Sequence, residues 1–132
     1  SDFIVGHPGE SEQIWEEAVE NFKKFPLTHL HCFVYSPRKD TISANLDGKI
    51  EPKIAKDRLK MLKNIVSINN FKFRQKQSNL EVLVESKGKD GLYSGFDQYY
   101  NKIKIQTNEN LHNKWVNLQK YEVKFDENYA EI

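Results

Sequence analysis

The beginning of the chain contains two short apolar runs separated by an amphipathic segment, and this arrangement restricts the fold more than any other feature. Residues 3–5 and 30–35 are runs typical of buried strands. Between them, apolar residues recur at helical spacing after an N-cap at Ser11, and Pro26 stops the helix. The pattern predicts one β-α-β unit of a parallel sheet. One such unit cannot cover both faces of its strands, so we expect neighbouring strands that this sequence lacks.

The uncovered edges of this unit have a consequence for association. Unpaired apolar strand edges pair readily with strands of another molecule. We therefore expect the chain to dimerise, or to swap strands, through residues 2–6 and 30–35.

Helical periodicity returns from Pro52 to about Phe73. The predicted apolar face contains Ile54, Met61, Ile65 and Ile68, with Leu62, Val66 and Phe73 beside it. The lysines Lys56, Lys60 and Lys63 fall mostly opposite. Residues 49–76 carry nine basic and two acidic side chains, a net charge of +7 in a chain whose overall charge is +1. Such a segment either attracts a polyanion or is simply a solvated helix face.

The period changes to two from Asn79 onward. Residues 80–85 form a predicted strand and residues 87–91 a turn. Residues 92–95, 99–105, 115–118 and 121–125 are further strand candidates. Short strands joined by polar turns predict a small closed sheet, such as an OB-like barrel.

Composition limits the location and the chemistry. With 38% apolar and 30% charged residues the chain is typical of a soluble globular protein. No apolar run approaches the roughly 20 residues that span a bilayer, and no signal peptide is evident, so we expect a cytoplasmic location and no membrane partner. His29 and His31 point to one side of a strand and Cys32 to the other, so we predict neither a metal site nor a catalytic group.

Two stretches resemble the radical-SAM methylthiotransferase family. Residues 2–11, DFIVGHPGES, resemble the family stretch D-x-I-V-G-F-P-G-E-T, and residues 30–41, LHCFVYSPRKDT, resemble L-H-x-F-x-Y-S-x-R-x-G-T. The helix that follows resembles the family's K-x-R-x-x-x-L helix, and the β-rich tail resembles its RNA-binding TRAM domain. The departures are peripheral: His7 replaces the family's Phe, Ser11 its Thr, and Asp40-Thr41-Ile42 its Gly-Thr-Pro.

The resemblance implies an α+β fold in three parts. Residues 1–48 would be the C-terminal fragment of a radical-SAM α/β barrel, residues 49–73 a basic linker helix, and residues 74–132 a five-stranded antiparallel, OB-like TRAM barrel. Residues 91–103 resemble the MtaB-type subgroup, which adds a methylthio group to C2 of N6-threonylcarbamoyladenosine beside the tRNA anticodon. Other subgroups, which act on isopentenyladenosine in tRNA or on a ribosomal protein, remain alternatives. So do a structural or protein-interaction module and a stand-alone OB-like RNA binder.

The resemblance also implies cofactors and contact residues. An intact member would use two 4Fe–4S clusters and S-adenosylmethionine, but a cluster needs about three to four thiolates and this chain has one. We therefore expect no cluster and no methylthiolation by this chain alone. Ile4, Gly6 and Gly9 would face S-adenosylmethionine in the intact protein. The expected partner is the tRNA anticodon stem-loop, with these predicted contacts: Lys56, Lys60, Lys63, Tyr93, Tyr99, Tyr100, Lys102 and Lys104.

Overall fold

The computed structural model describes all of residues 1–132 and shows an α+β fold. The chain divides into two units, Ser1–Asn70 and Phe71–Ile132. The elements in chain order are β1 Asp2–Val5, α1 Glu12–Lys24, β2 His31–Val34, a 3₁₀ turn Ser43–Asn45, α2 Pro52–Gln75, β3 Leu80–Lys87, β4 Tyr93–Asp97, β5 Lys102–Gln106, β6 Trp115–Leu118, β7 Glu122–Val123 and β8 Asn128–Glu131. Residues of α2 therefore belong to both units. The assignment of family domains to residues 1–48, 49–73 and 74–132 stays a prediction.

The first unit contains the predicted β-α-β arrangement. Strands β1 and β2 pair in parallel, from Asp2 beside His31 to Val5 beside Val34. Helix α1 begins as expected, because the Ser11 hydroxyl accepts a hydrogen bond from the Ile14 amide at 3.3 Å and so satisfies one of the free donors of the first turn.

One face of this two-stranded sheet is covered and the other is open. On the covered face, Val5, Trp15, Cys32 and Leu62 form a buried cluster. On the open face, Ile4 and Phe33 are register partners and both are exposed.

The apolar face predicted for α2 is only partly confirmed. Ile54, Met61 and Ile68 are exposed, whereas Leu62 and Val66, predicted beside that face, are buried together with Ala55 and Arg58 of the same helix. The buried stripe is rotated by about a quarter turn from the predicted one, because apolar residues occupy a wide arc of this helix and only the packed neighbours select which part is covered.

The second unit is a curled mixed sheet rather than a closed antiparallel barrel. Six strands follow the order β6-β3-β4-β5-β8-β7, so β6 and β7 are the end strands. All neighbouring pairs are antiparallel except β5 and β8, which are parallel. The five-stranded antiparallel prediction was therefore wrong in strand number, in direction and in closure. The parallel pair arises from the long connection through residues 107–127, which returns the chain to β5 in the same direction.

The concave side of the curled sheet holds the core of the second unit. Alternate residues of β3, β4 and β5 point inward as predicted, and the buried members are Leu80, Val82, Val84, Tyr93, Ile103, Ile105, Leu111, Leu118 and Ala130.

A buried arginine joins the last turn of α2 to this sheet. Arg74 is 1% exposed and donates hydrogen bonds to the Lys124 carbonyl at 2.7 Å, to Asn128 Oδ1 at 2.9 Å and to the Phe125 carbonyl. Burial lowers the pKa of the Arg74 guanidinium, although nearby carboxylates, chiefly that of Asp97, oppose this shift. Arg74 is thus a structural group rather than one of the available cations of the basic segment.

Candidate functional site

The loop after β1 is held by a buried ion pair. Arg58 is 6% exposed, and its Nη1 donates to the backbone oxygen and to Oε1 of Glu10, both at 2.8 Å. Its Nη2 donates to Glu12 Oε2 at 3.0 Å, and its guanidinium lies 5.5 Å from the centre of the Trp15 ring. Glu10 Oε1 also accepts the Gly6 amide at 3.0 Å. The carboxylate of Glu10 therefore ties the two ends of the turn to α2.

The glycines of this loop are required for different reasons. Gly6 has a φ of 77°, and a Cβ there would lie 2.7 Å from the Cβ of Ala55. The backbone at Gly6 therefore packs closely against α2. This contact is enough to explain why the position is glycine, without a cofactor. Gly9 has a φ of 92°, its amide donates to the Gly48 carbonyl at 2.9 Å, and a Cβ there would meet nothing within 4 Å.

The three residues predicted to face S-adenosylmethionine do not line one cavity. Gly6 lines a largely apolar cavity of about 480 Å³ together with Pro8, Tyr35 and Ala55. Ile4 lines a different cavity of about 570 Å³ on the open face of the sheet. Gly9 lines neither of these two cavities. A shared role in cofactor binding stays a prediction.

The lysines predicted on α2 lie on one exposed face. Lys56, Lys60 and Lys63 are all exposed, and Lys53 lies on the same face at helical spacing. None of the four lies within 4.0 Å of a carboxylate oxygen. We call these four residues the lysine face. Arg58 of the same segment is excluded from it, because that side chain is buried against Glu10.

The tyrosines predicted to contact RNA on the second unit differ in their exposure to solvent. Tyr93 is 8% exposed and belongs to the core, so it is not available to stack on a base. Tyr99 is 39% exposed with its ring edge-on to Phe73 at 5.2 Å, whereas Tyr100 is 78% exposed.

The two lysines of β5 are also unequal. Lys104 is mostly buried and paired with Asp90 at 3.0 Å, while Lys102 is half-exposed and lies 3.8 Å from Glu127. Lys102 is therefore more available than Lys104 to bind another anion.

Two further exposed aromatic residues lie on the outer face of the same sheet. Trp115 is 69% exposed, and Phe96 is also exposed. Both are register partners of Leu83, one on each side. Alternation within each strand indicates which residues face outward, but only the strand pairing places these side chains together.

The potential metal ligands are dispersed, and the single cysteine is buried. No group of three or more histidine, cysteine, aspartate or glutamate side chains is placed to hold a metal ion. Burial raises the pKa of the Cys32 thiol, with Lys63 opposing the shift, so the thiol is less easily ionised than usual.

Neither helix combines the length and the hydropathy needed to cross a bilayer.

Comparison with known proteins gives a consistent result. No family model matches the chain. Over 134 residues the chain is 42% identical to a Helicobacter pylori (strain J99) protein that carries the name methylthiotransferase, covering 98% of the chain and 32% of that protein. It is 37% identical over 90 residues to a Zymomonas mobilis tRNA-2-methylthio-N(6)-dimethylallyladenosine synthase, covering 67% and 20%. It is 32% identical over 104 residues to the Thermotoga maritima threonylcarbamoyladenosine tRNA methylthiotransferase MtaB, covering 77% and 24%.

The chain spans about a third or less of the length of these curated relatives. The first of them matches it almost from end to end, through both units and through the motif stretches at residues 2–11 and 30–41. The chain therefore belongs to the methylthiotransferase family.

Proposed function

We propose that the chain is the C-terminal part of a tRNA methylthiotransferase and that it holds the tRNA substrate. The observation that carries this proposal is the lysine face of α2, which presents four cations without carboxylate partners in a chain whose relatives are named for tRNA modification. Lysines in such a row neutralise backbone phosphates and do not read sequence. The second unit acts as the TRAM domain, and the β-α-β unit is the last part of the radical-SAM barrel.

The chemistry of methylthio transfer belongs to the rest of the intact protein. The residues of this chain do not fit a 4Fe–4S cluster, since Cys32 is its one cysteine and is buried. No step of the reaction is assigned to this chain. Its contribution would be to bind and orient the RNA.

The proposed substrate of the intact protein is N6-threonylcarbamoyladenosine, on the basis of residues 91–103. A second candidate is dimethylallyladenosine, because a relative named for that substrate is 37% identical to the chain. Nucleoside analysis of tRNA from cells that lack the protein decides between them: the methylthio group disappears from one modified adenosine and stays on the other.

Replacing Lys56, Lys60 and Lys63 together with alanine tests the role of the lysine face. We expect weaker binding of a tRNA anticodon stem-loop and a shallower salt dependence, because each lost phosphate contact lowers the log–log slope by roughly 0.7 to 0.9. Titration of a labelled stem-loop at several salt concentrations measures both quantities.

The matched control replaces Lys39, Lys89 and Lys120, which are also exposed and whose loss changes the net charge equally. If both triple variants lose affinity alike, only overall charge matters. If the variant of α2 keeps the affinity and the salt slope of the wild type, the lysine face is merely solvated.

The open face of the β1–β2 sheet predicts self-association of the isolated chain. Ile4 and Phe33 are exposed there, and both strands have an unpaired edge. We expect light scattering to show dimers at high protein concentration, and replacement of Phe33 with serine to reduce them. A strict monomer for the wild type would contradict this prediction.

A further inference from the structure

A row of side chains crosses four strands on the outer face of the second unit. Trp115 of β6 pairs with Leu83 of β3, Leu83 pairs with Phe96 of β4, and Phe96 pairs with Lys102 of β5. Directly paired residues point to the same side of a sheet, so these four side chains are neighbours. All four are exposed. Together with Tyr100 they form what we call the aromatic row.

The turn between β4 and β5 adds Tyr100 to this row. Asp97 Oδ1 accepts the amides of Tyr99 at 2.9 Å and of Asn101 at 2.8 Å, which holds the turn in shape. Within it Tyr100 has a φ of 66°, a conformation that non-glycine residues seldom adopt. Its ring centre lies 5.9 Å from that of Phe96, with the two planes inclined by 40°.

The aromatic row offers two separate ring surfaces. One is Trp115, and the other is the pair formed by Phe96 and Tyr100. Adjacent strands are about 4.8 Å apart, so these two ring surfaces lie about 10 Å apart with Leu83 between them. Two unpaired bases within a short run could stack on these two ring surfaces, one base on each.

The surroundings favour nucleic acid over a protein partner. Along β3 the residues beside Leu83 on this face are Glu81 and Glu85, and Asn117 and Ser94 flank the row on the neighbouring strands. The apolar surface is therefore one residue wide. A stable protein interface needs roughly 800 Å² per partner with an apolar centre, whereas base stacking needs only exposed ring faces.

A cation stands at one end of the aromatic row. Lys102 faces Phe96 across the β4–β5 pair, and its half-exposed ammonium lies 3.8 Å from Glu127. A strand of RNA whose bases stack on the rings would pass its phosphates near this lysine. The acidic residues Glu81 and Glu85 lie to the sides of the row rather than at its ends.

We propose that the aromatic row is a stacking site for unpaired RNA bases, with Trp115 and the Phe96–Tyr100 pair as its two ring surfaces. This inference rests on the proposed function, which supplies tRNA as the partner. It adds a second kind of contact: the lysine face neutralises phosphates, while the aromatic row holds loop bases irrespective of their identity.

Two substitutions of Trp115 test whether RNA binding requires an aromatic ring or only an apolar side chain. Trp115→Leu keeps an apolar side chain without a ring, whereas Trp115→Phe keeps a ring. We expect Trp115→Leu to weaken binding of the anticodon stem-loop by roughly 5- to 150-fold with an unchanged salt slope, and Trp115→Phe to retain most of the affinity. A fully paired duplex of similar length should bind equally to both variants.

Tryptophan fluorescence reports directly on the contact between Trp115 and the RNA. The only other tryptophan, Trp15, is buried in the first unit and contributes a steady background. We expect the stem-loop to quench the emission of the wild type and to leave that of Trp115→Phe nearly unchanged.

The outcomes distinguish this inference from the proposal on which it rests. If the wild type binds no RNA, both are overturned. If the wild type binds and the lysine variant is weakened, but Trp115→Leu binds like the wild type and no quenching occurs, only the aromatic row is overturned. In that case the row would instead be an apolar contact for protein.

Discussion

Replacing Arg58 with methionine should destabilise the first unit by about 3–5 kcal/mol. Methionine fills much of the same volume but leaves the Glu10 carboxylate with no cation, in a position where its side chain is only 10% exposed. The loss of a partner from a buried pair costs far more than the pair contributes, because one charge then stays desolvated and uncompensated. The loop from Gly6 to Glu10 should loosen at the same time, since Glu10 also holds the Gly6 amide.

Urea denaturation followed by the emission of Trp15 measures this loss, because Trp15 lies beside Arg58 in the same unit. A Trp115→Phe background removes the other emitter. Lys60→Met is the matched control, since Lys60 is exposed on the same helix and should change stability by less than about 0.5 kcal/mol.

The double variant Arg58→Met with Glu10→Gln isolates the charge effect. We expect it to recover part of the stability lost in Arg58→Met, because a neutral amide is cheaper to bury than an unpaired carboxylate. An equal or larger loss in the double variant would mean that packing on Trp15, rather than the ion pair, makes Arg58 important.

Replacing Arg74 with methionine should destabilise the second unit by about 3–5 kcal/mol. The guanidinium donates to the carbonyls of Lys124 and Phe125 and to the Asn128 side chain, and hydrogen bonds from a charged donor are worth about 1.5–3 kcal/mol each. Methionine would leave these acceptors without that donor at the connection between β7 and β8.

Hydrogen exchange of the amides in β5 and β8 reports on this unit separately from the first. We expect protection to fall in Arg74→Met and to stay unchanged in Lys72→Met, where the replaced side chain is exposed two residues earlier on the same helix. Unchanged protection in β8 would show that the hydrogen bonds of Arg74 do not stabilise the sheet.

Several features followed from local sequence because they depend on near neighbours. The β-α-β unit was predicted from two apolar runs, the cap at Ser11 and the stop at Pro26, and the structure contains it. Three members of the lysine face, Lys56, Lys60 and Lys63, were predicted from spacing, since residues three and four apart share one side of a helix.

Other features depended on contacts between residues far apart in the chain. Arg58 lies 48 residues from Glu10, and Arg74 lies 54 residues from Asn128. By charge both arginines belong to the basic segment, and only the fold removes them from it. The difference between the predicted and the observed buried face of α2 has the same origin, because a helix with a wide apolar arc does not itself decide which part is covered.

The same distinction between local and long-range contacts applies to the candidate sites. The sequence by itself determined the alternation within each strand, the position of the turns and the location of the lysine face, since these are set by residues within a few positions of one another. Only the tertiary structure decided that Tyr93 is buried, that β5 and β8 are parallel and that Trp115, Leu83 and Phe96 form one row. The physical reason is that pairing register sets which side chains from distant strands become neighbours, and a shift by one residue would place each of them on the opposite face.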